Sequence, residues 1–94
     1  METFQIKVGQ PLEISFESFP GSGAVWYLET ALPNGCRIAQ KDARETNGGI
    51  GGSMKQMFLL ECTETAEFEL EFVLKRVWEK TVRNSRRILI QVNS

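Results

Sequence analysis

The sequence contains no histidine and only two cysteines, Cys36 and Cys62. Histidine is the side chain most often used as a general base and as a metal ligand, so an enzyme or a zinc site would lack its usual groups. The cysteines do not have Cys-x-x-Cys spacing, and a nucleophilic cysteine would have no histidine to activate it. We therefore expect no enzyme, no metal site and no cofactor.

The cysteines are also placed differently from those of antibody domains, in which one cysteine precedes the core tryptophan. Here both cysteines follow Trp26 in the chain. We expect Cys36 and Cys62 to be small core residues in the reduced state, and we expect the domain to fold without a disulfide.

Excess charge and long apolar runs are absent as well. The 94 residues are 41% hydrophobic and 24% charged, with a net charge of -1. Such a composition is typical of one small globular domain, here residues 1–94. The low net charge argues against general binding to nucleic acid or to acidic membranes, and no apolar stretch could span a bilayer. With no recognisable leader, the chain as written is expected in the cytoplasm, or secreted or periplasmic if an export signal has been removed.

The charges are unevenly distributed along the second half of the chain. Five glutamates lie between residues 61 and 71, and six basic residues lie between 75 and 87. A basic patch for nucleic acid is one interpretation of this pattern. A solvated face is the interpretation that we favour.

Alternation of apolar and polar residues predicts β-strands along most of the chain. The turn signals between the strands include Pro33-Asn34-Gly35, in which Asn-Gly tolerates positive backbone angles. A polar, glycine-dense loop is predicted from residue 41 to residue 53; it lacks the lysine of a phosphate-binding loop, so a flexible linker is the simpler interpretation. Alternation marks strands at 4–8, 12–16 and 88–92, and short strands are also expected at 25–28 and 36–40. The segment 57–60 is apolar on both faces, as a central strand would be.

The segment from residue 67 to residue 78 is ambiguous. An apolar stripe with helical spacing runs through it, but a helix would place Phe68 and Phe72 on the opposite, charged face. A strand instead groups both phenylalanines with Leu70 and Leu74 and turns the glutamates outward. With this seventh strand, the sequence predicts an all-β protein, a β-sandwich of about seven to eight strands.

Three segments resemble the motifs of the chagasin-like family of inhibitors of papain-like cysteine peptidases. The family carries Asn-Pro-Thr-Thr-Gly-aromatic-x-Trp, then Gly-x-Gly-Gly, then Arg-Pro-Trp or Arg-Pro-Phe. The corresponding segments here are Phe-Pro-Gly-Ser-Gly-Ala-Val-Trp at 19–26, Gly-Ile-Gly-Gly at 49–52 and Arg-Val-Trp at 76–78. Their order and spacing agree along essentially the whole chain.

The chain departs from the family pattern in the first and third segments. Phe19 replaces the asparagine, Gly21 the first threonine, Ala24 the aromatic residue and Val77 the proline, whereas Ser22 keeps a hydroxyl group in place of the second threonine. Because proline fixes a backbone angle, the third segment loses a conformational restraint. These departures concern the choice of target more than the fold.

The resemblance implies an immunoglobulin-like β-sandwich with three functional loops at one end, which would enter the cleft of a papain-like peptidase and block it reversibly. The partner would be that peptidase, with no nucleic acid and no membrane, and the chain would act as a monomer. The implied peptidase-binding residues are Pro20, Gly21, Ser22, Gly23, Ala24, Gly49, Ile50, Gly51, Gly52, Arg76, Val77 and Trp78.

The sequence also allows another function and other roles for these residues. The same loops would also suit an immunoglobulin-like protein-interaction module that does not inhibit a peptidase. A separate alternative is that Trp78 is a core residue at the end of a strand, Arg76 a solvated charge, and the glycines turn residues.

Overall fold

A computed structural model describes residues 2–18, 23–44, 54–76 and 78–94, without the side chains of 42–44 and 54. Within these residues the chain is all-β, with seven strands and no helix. The described residues therefore contain no helix that is long and apolar enough to cross a membrane. The prediction of an all-β protein is confirmed. The strands are β1 Glu2–Lys7, β2 Leu12–Ser18, β3 Ala24–Leu28, β4 Cys36–Arg44, β5 Met54–Cys62, β6 Ala66–Arg76 and β7 Asn84–Asn93.

The strands form two sheets that pack face to face. One sheet has four strands in the order β1-β7-β6-β3, and the other has three in the order β2-β5-β4. All neighbouring strands are antiparallel except β1 and β7, which are parallel. Alternate side chains of each strand therefore point into the space between the sheets, as a sandwich requires.

Aromatic side chains from both sheets meet at the centre of the core. The ring of Phe16 stacks on that of Trp26 with centroids 4.6 Å apart, and Phe58 and Phe72 meet at 4.8 Å. Trp26 is buried, and its indole Nε1 donates a hydrogen bond to the carbonyl oxygen of Glu17 at 3.1 Å. The tryptophan of the first motif is thus a core residue, which fixes the start of β3 against β2.

The ambiguous segment is a strand. β6 pairs with β3 along one edge and with β7 along the other, so it is a central strand of its sheet. Leu70 and Phe72 are fully buried, whereas Glu67 and Glu69 are exposed. The strand prediction is confirmed, because only a period of two places the phenylalanines in the core and the glutamates in water.

Two sequence predictions about strand limits were wrong. β4 continues to Arg44, although a loop was expected from Lys41, because backbone pairing with β5 extends as far as the Arg44–Met54 pair and does not depend on apolar side chains. Val8 was expected in the first strand but lies after β1 and is exposed. The chain turns there through Gly9, whose φ of 81° ends the extended conformation.

A buried polar side chain joins the two sheets. Gln56 of β5 is 2% exposed, and its Oε1 accepts a hydrogen bond from the Trp26 N–H at 2.8 Å. Its Nε2 donates to the Trp26 carbonyl oxygen at 3.1 Å. β3 is the outermost strand of the four-stranded sheet, so these backbone groups have no neighbouring strand to pair with. Gln56 supplies the missing partners, which a buried backbone requires.

Candidate functional site

The strand ends that flank the three motif segments lie at one end of the sandwich. β2 ends at Ser18, which pairs with Met54 at the start of β5, and Met54 also pairs with Arg44 at the end of β4. In the other sheet, β3 begins at Ala24 opposite Arg76, the last residue of β6. The connections after β2, β4 and β6 therefore start side by side, as the family resemblance implied for the three loops.

Trp78 is the most exposed large apolar side chain among the residues described at this end. Its relative exposure is 69%, which excludes the alternative that it is a core residue. The guanidinium carbon of Arg76 lies 5.8 Å from the centre of its ring, a cation–π distance. The indole is therefore supported on one side and open to solvent on the other.

Gly23 lies directly beneath the Trp78 indole and joins the first segment to the third. A Cβ atom at this position would lie 3.0 Å from Cζ3 and 3.2 Å from Cζ2 of Trp78, and it would overlap Cη2. Gly23 also has a φ of 80°, a left-handed conformation that other residues rarely adopt. Glycine is needed here both for the backbone and for the close approach of the ring.

Charged side chains fix the segment that follows β6. Arg76 Nη1 lies 3.3 Å from Glu79 Oε1, and Arg83 Nη2 lies 3.8 Å from Glu79 Oε2. The Glu79 N–H also donates to the Arg76 carbonyl oxygen at 3.1 Å, which closes a turn around Trp78. Each of these ion pairs is about one-third exposed or more, so each contributes little to stability by itself. Together with the turn they restrict the position of Trp78.

The structure places four of the predicted site residues and brings them together. Gly23, Arg76 and Trp78 form one contiguous contact, and Ala24 is buried at the base of it, opposite Arg76. The prediction that these residues bind a partner stays a prediction. The other predicted site residues lie outside the described residues: Pro20, Gly21, Ser22, Gly49, Ile50, Gly51, Gly52 and Val77.

Sequence reasoning missed two residues that shape this end. Arg83 belongs to the ion-pair cluster, and Gln56 holds the start of β3. The spacing of Arg76, Glu79 and Arg83, three and then four residues apart, was a visible signal of charge pairing. Nothing in the sequence around Gln56 indicates that it faces a strand of the other sheet.

The arrangement is suited to contact with a partner. Within the part of the chain that the structure describes, no cluster of three or more histidine, cysteine, aspartate or glutamate side chains could hold a metal ion. The site offers a supported aromatic ring and a small charged cluster. Aromatic and arginine side chains of this kind dominate the affinity of protein interfaces.

The contact between Gly23 and Trp78 gives a prediction with a matched control. Gly9 has nearly the same φ as Gly23, 81° against 80°, but a Cβ atom there would meet nothing within 4 Å. Replacing either glycine with alanine is expected to cost about 1–2 kcal/mol of unfolding free energy through backbone strain. Only Gly23→Ala should also displace the indole, which a rise in acrylamide quenching of tryptophan fluorescence would report. Equal quenching in the two variants would contradict the contact.

The fold and the family are established by comparison with known proteins. A cysteine protease inhibitor from Entamoeba histolytica, EhICP2, has a crystal structure that matches with a TM-score of 0.84 at 17% identity, over 98% of this chain and 86% of that chain. The solution structure of amebosin matches with a TM-score of 0.71 at 24% identity, over 97% of this chain and 86% of that chain. At these identities the likeness shows the fold.

Sequence comparison identifies the family. A search of curated proteins finds no significant match. The model described as "Chagasin family peptidase inhibitor I42" matches residues 5–92. The resemblance seen in the three motifs is thereby confirmed, and cysteine peptidases are the partners that this family implies. The chain belongs to the chagasin family of peptidase inhibitors, and it is an inhibitor and not an enzyme.

Proposed function

We propose that this chain inhibits papain-like cysteine peptidases reversibly, by placing the loop end of the sandwich in the active-site cleft. The observation that carries the proposal is the position of Trp78, which is 69% exposed and held against Gly23 where the three connections begin. An isolated exposed tryptophan has an unfavourable contact with water. Because its neighbours already hold the Trp78 side chain in one position, that side chain would lose little conformational entropy on binding a partner.

The three segments would have different roles in the cleft. The segment around Ser22 would approach the catalytic cysteine, and the glycine-rich segment at 49–52 would bring bare backbone close enough for main-chain hydrogen bonds, with Ile50 reaching an apolar subsite. Trp78 would stack on an aromatic surface of the peptidase, with Arg76 supporting it. The close contact of Gly23 and Trp78 supports this assignment for the first and third segments, because it lets both engage one surface.

We propose further that the chain acts as a monomer and binds neither nucleic acid nor a membrane. The arginines of the charged region have acidic neighbours: Arg76 and Arg83 pair with Glu79, and Arg87 pairs with Glu71 at 2.8 Å. Arg86 pairs with Glu2. Among the described residues, such pairs reduce the positive charge that a phosphate backbone would need.

The direct experiment is a titration of the purified chain into papain with a fluorogenic peptide substrate. We expect inhibition that is lost on dilution and a chain whose mass is unchanged after prolonged incubation with the enzyme. Papain that keeps full activity at about 10 μM chain, a concentration at which binding of about −7 kcal/mol would be detected, would favour the interaction-module alternative. A chain cleaved at the rate of an ordinary substrate would also contradict the proposal.

A further inference from the structure

The two cysteines lie directly opposite each other at the far end of the sandwich from Trp78. Cys36 is the first residue of β4 and Cys62 the last residue of β5, and the register pairs them. The Thr63 N–H donates to the Gly35 carbonyl oxygen at 2.7 Å, so the hydrogen bonds of the ladder flank this pair and do not join its members. In such a pair the Cα atoms are about 4.5 Å apart and the side chains are at their closest. That separation lies within the range of about 4.4–6.8 Å that a disulfide spans.

The two thiols differ in access. Cys62 is 1% exposed, whereas Cys36 is half-buried and lines an open cavity of about 460 Å³ together with Arg37, Glu61 and Thr63. Burial raises the pKa of Cys62 to about 12, and a hydrogen bond with the Cys36 thiol contributes a smaller part of this rise. Cys62 is therefore protonated at neutral pH and shielded from reagents in solution. A small molecule can reach only Cys36.

We propose that Cys36 and Cys62 form a reversible redox site that low-molecular-weight disulfides oxidise to one cross-strand bridge. The Cys36 thiolate attacks a disulfide R–S–S–R, forming Cys36–S–S–R and releasing one thiolate RS⁻. The Cys62 sulfur then loses its proton and attacks the Cys36 sulfur, which forms the Cys36–Cys62 bond and releases the second RS⁻. Two protein thiols and one R–S–S–R thus become one protein disulfide and two molecules of RSH.

The two free thiols of the structure agree with a fold that does not need the bridge. Once formed, the bridge would close the β4–β5 hairpin into a ring of roughly 25 residues, which restricts the unfolded chain. The pair lies at the opposite ends of β4 and β5 from the Arg44–Met54 pair, so the loop end is not altered by oxidation. Oxidation is expected to raise the melting temperature by on the order of 10 °C.

Oxidised glutathione serves as the probe for the intact chain. Mass spectrometry after incubation should show a monomer lighter by about 2 Da, the mass of two hydrogen atoms, and dithiothreitol should restore the original mass. Peptide mapping should find Cys36 joined to Cys62. Thiol titration in denaturant should count two thiols before oxidation and none after it.

Two matched variants separate the steps. Cys62→Ala should stop at a glutathione adduct on Cys36, and Cys36→Ala should not react in the folded state, because the remaining thiol is buried. A parent chain that stops at the adduct, forms a dimer through an intermolecular disulfide, or keeps two free thiols would overturn the proposal. A bridged chain whose melting temperature does not rise would overturn the predicted stabilisation.

Discussion

Replacing Trp78 with alanine is expected to weaken the inhibition of papain by about thirtyfold or more, a loss of at least about 2 kcal/mol of binding free energy. The melting temperature of the free chain should stay nearly unchanged. Both expectations follow from the exposure of the indole, which makes few contacts that folding depends on and presents most of its surface to a partner. Inhibition constants and thermal unfolding of the same preparations provide the two measurements.

Val82→Ala is the matched control for this experiment. Val82 follows Trp78 in the same β6–β7 connection and is 47% exposed, but it does not lie against Gly23 or Arg76 in the contacts described for the loop end. We expect this variant to inhibit within about threefold of the parent. A Trp78→Ala chain that melts far below the parent, or one that inhibits equally well, would remove the third segment from the proposed binding surface.

Replacing Gln56 with leucine is expected to cause a large loss of stability, in contrast to the replacement of Trp78. The leucine side chain has a similar size but cannot pair with the Trp26 N–H and carbonyl oxygen, which are left buried without partners. Each such group costs about 1–3 kcal/mol, so we expect the free energy of unfolding to fall by about 2–6 kcal/mol in a urea titration. That loss is a large part of the stability of a domain of this size.

Gln5→Leu provides the comparison for Gln56→Leu. Gln5 is an exposed residue of β1, and its Nε2 donates a solvent-exposed hydrogen bond to Oε1 of Gln91 at 3.1 Å. Water can replace that bond, so we expect a change of less than about 0.5 kcal/mol. Equal effects of the two substitutions would mean that Gln56 does not tie the sheets together.

The all-β fold could be predicted from the sequence because alternation is a local signal. In β6 the period of two was visible in Phe68, Leu70 and Phe72 even though a helical stripe competed with it. Strand limits were less predictable, as Lys41 to Arg44 shows, since a polar segment pairs through its backbone and leaves no trace in its side chains.

Only site residues within the three motif segments could be predicted from the sequence. The resemblance pointed to Arg76 and Trp78 as site residues, but the contact of Trp78 with Gly23 joins residues on two different strand connections, and no local pattern encodes it. The same limit applies to the cysteines. They were expected to be small core residues in the reduced state, and only the pairing register shows that Cys36 stands opposite Cys62. Both contacts depend on how distant segments pair in the complete fold, and for that reason the sequence alone did not predict them.

The central claim is that the loop end of the sandwich occupies the active-site cleft of a papain-like peptidase. Calorimetric titration of the chain into papain, free or with its catalytic cysteine alkylated by a peptide epoxide that fills the cleft, tests this directly. We predict a one-to-one complex with the free enzyme and a loss of affinity of at least about a hundredfold, or about 2.7 kcal/mol, when the cleft is filled. Equal affinity for the free and the filled enzyme would show that the chain binds elsewhere, and it would contradict the account.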